Sequence, residues 1–297
     1  METLTEPALI ALIAKWGLAA ITVFYSTSIL FEMWLWSRKR PGEYDHADAL
    51  ASFTVNLMSN VGAVLIGLVV PLAAYAWVYA ELRLFDIGWA WWGVGVAFVV
   101  HELSYYFGHR IGHRTGLGWA FHHPHHSSEE LNISTASRGF LFGDPLASFF
   151  GLGAALLGVH PVVYVGTVIV KNMWGIWNHT QLVDKMGVLD RWLATPANHR
   201  VHHGRNPQYI DKNYSQVTIV LDRLLGTWEP EVEPPEFGLV EPQITTNPIR
   251  IWFGGWRWLA RRIRSAPTLG DKLRYLWKPP EWHHEAAQDD ANFVAAE

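Results

Sequence analysis

Three histidine motifs dominate this 297-residue chain: H-x-x-x-H at His109 and His113, H-x-x-H-H at His122, His125 and His126, and H-x-x-H-H again at His199, His202 and His203. Residues three and four apart share one face of a helix, about 5–6 Å apart at Cβ, so each motif would present a stripe of imidazoles. A further one, His179, sits in Trp-Asn-His-Thr. Any one motif alone is commonplace. Together they point to metal, because clustered imidazoles repel one another when protonated and are satisfied when a cation takes their lone pairs. Eight or nine nitrogens exceed the four ligands of a structural zinc or the three of a catalytic one, and they fit two metals with four or five each. The chain has no Cys, which removes thiolate sites, iron–sulfur clusters and disulfides. All-nitrogen ligation suits iron, zinc or copper. No G-x-G-x-x-G dinucleotide fingerprint is present. A two-metal centre without a second redox motif suggests activation of O₂ for attack on a lipid C–H bond, with electrons supplied from outside.

The elements that must position these histidines lie in an apolar chain. Half the residues are hydrophobic and 17% are charged, against about 25% in ordinary soluble domains. The net charge of −4 gives no reason to expect nucleic acid. Residues 16–31, 49–80, 87–100 and 145–170 carry no Asp, Glu, Lys or Arg, and a spanning helix needs roughly 20 such residues. The expected fold class is therefore all-α, a multi-pass integral membrane protein with four or five membrane segments and a cytoplasmic histidine-rich di-metal cap. Arg38, Lys39 and Arg40 place the end of the first segment in the cytoplasm. Residues 49–80 then read as one crossing, with Asn60, Gly62 and Pro71 as places where it could break. Residues 145–177 read as a hairpin broken at Gly158-Val-His-Pro161, which returns His179 and the last motif to the side of the first two. Glu2 and Glu6 before the apolar run argue against a secretory leader.

Local signals refine this. Thr195-Pro196 marks a helix start and Gly204 its stop. Pro124 should start or kink the helix of the first H-x-x-H-H motif. Residues 250–264 mix Trp, Phe and Ile with five Arg, a composition suited to an interfacial helix on anionic lipid. The domain organisation expected is membrane segments over 1–96, a catalytic region over 97–230 and a cytoplasmic C-terminal region over 231–297, ending in a loose tail.

The histidine series, with the stretches ELSYYFGHR (102–110), HHPHHSSEELNISTASR (122–138), WNHT (177–180) and HRVHHGRNPQYIDKNYSQVTIVLDRLLGT (199–227), resembles the fatty acid hydroxylase/sterol desaturase superfamily of membrane di-iron oxygenases. The words around the histidines are most similar to its alkylglycerol monooxygenase-like members. The resemblance implies that His109, His113, His122, His125, His126, His199, His202 and His203 ligate two iron ions (Fe²⁺), and that His179 matches a further ligand position. It implies a lipid substrate, O₂ and an external redox donor such as tetrahydrobiopterin, a ferredoxin or a cytochrome. The reaction implied is lipid hydroxylation, with desaturation by the same site as the alternative. The location implied is a bacterial inner membrane or the endoplasmic reticulum.

Other residues have plainer expected roles. Glu102, beside His101 near the end of a membrane helix, is expected to orient a ligand by accepting an imidazole N–H. His123 is expected to be a spacer, not a ligand, and Ser127, Asn132 and Arg138 are candidates to buttress the site. His160 is expected at the far membrane surface, and His46, His283 and His284 in solvent. The tryptophans near segment ends, Trp34, Trp36, Trp89, Trp91, Trp92, Trp174 and Trp177, read as interface or packing residues. A histidine-rich metal transporter or sensor is the rival from another class. It would carry its ionisable groups along a path through the apolar segments, whereas here they cluster in the polar stretches that follow them.

Overall fold

The computed structural model describes residues 6–66, 69–140 and 145–284. Helices make up the described residues, with two short 3₁₀ turns and no strand among them. Helix α1 (Glu6–Lys39) has 34 residues, about 51 Å of helix at 1.5 Å per residue. Its Lys15–Lys39 portion is, among the described residues, the one stretch long and apolar enough to cross a bilayer. In the 49–80 run, helices α2 (His46–Ile66) and α3 (Val69–Glu81) are described, and residues 67–68 between them lie outside the described residues. The 145–177 run is the expected hairpin. Helices α6 (Pro145–Leu156) and α7 (Pro161–Trp177) flank Gly158. At about 18 and 26 Å, both are shorter than a hydrocarbon core of about 30 Å.

Helix α4 (Gly93–Arg114) is central, packing on α5 (Gly116–His126), α6 and α7. Its Ala97 joins Tyr75, Val78, Ala154, Ala155 and Val159 in one apolar core. Small residues at these positions let the helices approach closely. A second core lies under the C-terminal helices α10 (Pro248–Trp252), α11 (Gly254–Ser265) and α12 (Leu269–Trp277). There Trp258, Leu259 and Tyr275 pack with Ala120 of α5. The segment expected to lie on lipid thus breaks at Phe253, and its apolar face is buried against α5. Pro124 sits inside α5 near its end rather than starting it. Because Pro124 has no N–H, it cannot bond the Ala120 carbonyl one turn back, and Gly255 of α11 packs against that carbonyl, leaving no room for a Cβ.

Buried polar contacts tie α1 and α2 to the histidine-bearing segments. Glu32 of α1 accepts the Ile133 N–H (2.7 Å) and the Thr180 hydroxyl (2.5 Å). Asp48 of α2 accepts from Arg138 and from the Ser128 hydroxyl, both at 2.7 Å. His284, expected in solvent, is buried and hydrogen-bonds Tyr275 Oη at 2.8 Å. His160 is also buried, capping α7 by accepting the Val162 N–H at 3.2 Å. Trp36 is buried, whereas Trp34, Trp89, Trp91 and Trp92 stand exposed.

Gly158 and Gly42 share a left-handed φ of 82°, but a Cβ at Gly158 would collide with the Phe85 carbonyl while one at Gly42 meets nothing within 4 Å. Gly42→Ala should therefore cost about 1 kcal/mol for the left-handed backbone alone. Gly158→Ala should cost at least about 3 kcal/mol, because backbone must also move. Thermal unfolding of the two variants in one detergent checks the ranking; equal melting points would mean that the α6–α7 turn is not rigid.

Candidate metal centre

Four separate pieces of chain deliver the imidazoles. His109 and His113 stand one turn apart on α4, and His122, His125 and His126 lie on the last turns of α5. His179 follows the end of α7. His199, His202 and His203 occupy α8 (Pro196–His203), which begins and ends where Thr195-Pro196 and Gly204 indicated. Gly204 does not stop α8 by adopting a left-handed turn: its φ is −73°. A Cβ there would come within 2.8 Å of the Tyr209 ring, so close approach explains the glycine.

The nine histidines form two groups. One is His109, His113, His122, His126 and His202; the other is His125, His179, His199 and His203, and within each group the potential ligand atoms all lie within 4.8 Å of one another. Each H-x-x-H-H motif is split between the groups: His125 and His126 face different ones, as do His202 and His203. The groups adjoin, with the rings of His126 and His203 stacked at 4.4 Å. His123 belongs to neither group and is buried, as expected of a spacer.

The ring nitrogens are oriented. His109 Nδ1 donates to the Tyr214 carbonyl at 2.7 Å, His179 Nδ1 to the Gly175 carbonyl at 2.7 Å and His202 Nδ1 to the Lys212 carbonyl at 2.9 Å. A carbonyl can only accept, so these rings carry their proton on Nδ1 and a lone pair on Nε2. Those Nε2 atoms point inward. His199 Nε2 lies 2.9 Å from His179 Nε2, His109 Nε2 3.0 Å from His122 Nε2, and His179 Nε2 3.2 Å from His125 Nε2. His113 Nε2 and His202 Nε2 are buried with no partner at all. Burial and the neighbouring imidazoles hold His122, His125, His126, His199, His202 and His203 well below the usual imidazole pKa. Burial likewise takes His179 down to about 4. These seven rings are therefore held toward the neutral form, the one that binds metal. Converging lone pairs and orphaned buried nitrogens fit two cations well.

Glu102 is placed differently from expectation. It lies two turns before His109, paired with Lys171 of α7, and it accepts the Thr218 N–H (2.9 Å) and hydroxyl (2.6 Å). Among the described residues no imidazole hydrogen-bonds it: seven residues are two helical turns, so Glu102 shares the His109 face of α4 but stands about 10 Å from it along the axis. Arg138 reaches the centre through its backbone, with its carbonyl bonded to the His125 ring, while its guanidinium joins Asp48, Ser52 and Ser127.

The residue that sequence reasoning missed is Asp222. Fully buried, it accepts the Tyr214 and Ser215 N–H groups at 2.8 and 2.9 Å and the Thr227 hydroxyl at 2.7 Å. It thereby fixes the segment whose Tyr214 carbonyl orients His109. On either side of Lys212, Asp211 and Asn213 adopt positive φ of 60° and 54°, which aims the Lys212 carbonyl at His202. Asp-Lys-Asn was a legible turn signal, since Asn and Asp tolerate this conformation. Asp222 itself lies on short α9 (Val220–Leu224) with no spacing cue.

Residues 94–227 match the model of the fatty acid hydroxylase family. The chain is 33% identical over 273 residues to an alkylglycerol monooxygenase of Homo sapiens, covering 88% of this chain and 59% of that protein. It is 34% identical over 266 residues to one of Danio rerio, covering 88% and 58%. It is also 31% identical over 144 residues to an ornithine lipid hydroxylase of Rhizobium tropici, covering 48% and 43%. The chain thus spans about three fifths of the length of the alkylglycerol monooxygenases. No solved structure matches it significantly. Both histidine groups, His179 included, and the buttressing Asp222 lie within the matched residues.

Asp222→Asn replaces one of the two acceptor oxygens by a donor and should free the 213–215 segment. Metal affinity, read by chelator competition, should fall about 10- to 100-fold while helix content stays unchanged. Unaltered affinity would show that the rings are held without this segment.

Proposed function

We propose that this chain is a multi-pass membrane oxygenase that hydroxylates a C–H bond of a lipid. In this reading His109, His113, His122, His126 and His202 hold one iron ion, and His125, His179, His199 and His203 hold the second. The observation that carries the reading is the coincidence of two converging, neutral, all-imidazole groups with a hydroxylase domain. Relatives named for alkylglycerol and ornithine lipid support a lipid as substrate.

Exposed apolar side chains support a membrane setting beyond α1. Leu30 and Phe31, Phe53 and Leu57, Val94 and Val99, and Val170 stand open on α1, α2, α4 and α7, more apolar surface than a water-exposed bundle normally shows. Trp89, Trp91 and Trp92, the last at 48% exposure and Trp91 at 87%, precede α4 as an aromatic belt would. The histidines then lie on the opposite, cytoplasmic side, in a bacterial inner membrane or the endoplasmic reticulum.

When bound, the metal pair supplies activation of O₂ with two external electrons and two protons, converting C–H to C–OH and releasing water. The chain's own part is to keep the nine rings buried or half-buried and aimed. Backbone carbonyls of Tyr214, Gly175 and Lys212 fix the protons on Nδ1. Tyr214 packs edge-on against His109 and His113, and Trp119 packs tilted against His113, which shields these rings from water. Electrons come from an external donor: a pterin such as tetrahydrobiopterin, a ferredoxin or a cytochrome.

Metal analysis should find about two ions per chain. His125→Ala and His202→Ala should each lose metal, whereas His123→Ala should keep both ions. Full occupancy in the first two variants would overturn the ligand assignment. Incubation of enriched membranes with ¹⁸O₂, reductant and an ether or acyl lipid should place label in an alcohol or a derived aldehyde. An unlabelled alkene as sole product would assign desaturation instead. For topology, cysteines introduced at exposed Leu117 and Leu224 should label from one side of sealed vesicles and one at Trp91 from the other. Labelling of Leu117→Cys and Leu224→Cys from opposite sides would rule out a shared cap.

A further inference from the structure

One cavity of about 1600 Å³ runs from the metal centre to the C-terminal helices. His113, His126, His202 and His203 line its inner end, and Arg250, Arg257, Arg261 and Arg264 line its outer part. The last three arginines follow one another at four and three residues along α11, so they share one helix face. The opposite face, with Trp258 and Leu259, is the one buried against α5. Packing therefore does not account for the arginine face.

The acids that line the same cavity are already engaged. Asp211 and Glu281 pair with Arg114, and Glu241 pairs with Arg262. Arg205, also in the lining, pairs with Glu129. Among the described residues, no carboxylate pairs with Arg250, Arg257, Arg261 or Arg264. Four uncompensated positive charges around one concavity create a field that attracts an anion. Arg261 and Arg257 also lie close enough to His123 to add to burial in opposing its protonation.

Apolar side chains stand beside this charge. Val240, Ile244, Ile249 and Phe253 line the cavity and are 71, 80, 60 and 40% exposed. A site for a small hydrophilic anion has no use for such a surface. A cation row next to open apolar side chains complements an amphiphile: an anionic head joined to a hydrocarbon chain. Planar guanidinium groups match phosphate oxygens two at a time.

We propose that this cavity binds the phosphate group of a lipid through Arg257 and Arg261, with Ile244, Ile249 and Phe253 against the adjoining part of the molecule. The substrate presented to the histidine end is then a phosphate-headed lipid. The binding stands on the cavity alone; the fate of the bound lipid rests on the oxygenase reading above.

The test is equilibrium binding to the iron-loaded full chain in maltoside micelles, which contain no phosphate. The probes are 1-O-hexadecylglycerol, its 3-phosphate and inorganic phosphate. The 3-phosphate should bind about tenfold or more tighter than the neutral ether, from one or two charge-assisted bonds, and added salt should reduce the difference. Arg257→Gln/Arg261→Gln should bring the ratio close to one, and Arg261→Gln alone should remove part of it. Metal content and helicity, measured alongside, show whether each variant is folded, and the single variant decides if the double one is not. Equal binding of the two lipids, or a ratio unmoved by the substitutions, overturns the proposal. So does inorganic phosphate that binds as tightly as the lipid phosphate, which would make this a free-phosphate site. If the 3-phosphate binds with the expected preference but neither lipid is oxidised, the oxygenase reading fails and the lipid site stands. If the neutral ether is oxidised and no preference exists, the lipid site fails and the oxygenase reading stands.

Discussion

Nine imidazoles turned inward around a small volume are the constraint on which the other arrangements depend. Each ring that gives its Nδ1 proton to a backbone carbonyl leaves an Nε2 lone pair facing its neighbours. Ring nitrogens stand about 3 Å apart in chains that pass from ring to ring, and burial opposes adding further protons, since an imidazolium there would be both desolvated and surrounded by its own kind. Water cannot easily enter to bridge nitrogens this close. A cation at the centre of each group resolves the conflict. The two H-x-x-H-H motifs are each divided between the groups because adjacent rings on one helix diverge, so that each motif would serve both of two neighbouring cations.

Aiming the rings is the task of the surrounding backbone. The segment from Asp211 to Thr218 supplies two of the carbonyls, and it is held by two buried carboxylates. Asp222 binds its middle through Tyr214 and Ser215, and Glu102 binds its end through Thr218. Glu102 in turn is neutralised by Lys171, which joins α4 to α7. A buried carboxylate is tolerable only when its lone pairs are satisfied, and these two acceptor sets are well filled. Ligand geometry is thereby coupled to the packing of the apolar helices.

The long helices α1 and α2 are attached by the same means. Glu32 joins α1 to the segments after α5 and α7, and the Asp48–Arg138 pair joins α2 to the loop whose carbonyl meets His125. Elsewhere these helices present apolar side chains outward. Farther along each helix, the Tyr25 and Ser59 hydroxyls add links to the Ser134 and Gly139 carbonyls. The C-terminal helices close the other side of the centre by packing Gly254 and Gly255 on α5, and in doing so they leave the arginine face of α11 open to the cavity.

The sequence by itself determined the histidine set, because ligand type and three- and four-residue spacing are local properties that survive without coordinates. It also determined helices where caps and breakers are explicit: Thr195-Pro196 before α8, and Gly158 to Pro161 between α6 and α7. His179 was legible only through the resemblance of its neighbouring word, and the structure brings it against His125 and His199. Tertiary structure alone decided which ring joins which group, since that depends on how α4, α5 and α8 cross. It decided that Glu102 meets Lys171 rather than an imidazole, because the two lie 69 residues apart and no local pattern links them. It decided that Pro124 sits inside α5, where Gly255 from a distant helix covers the carbonyl the proline leaves unbonded. And it separated the two faces of α11: a composition of Trp, Ile and Arg is the same whether the apolar side meets lipid or protein, and only the packing against Ala120 shows that it meets protein.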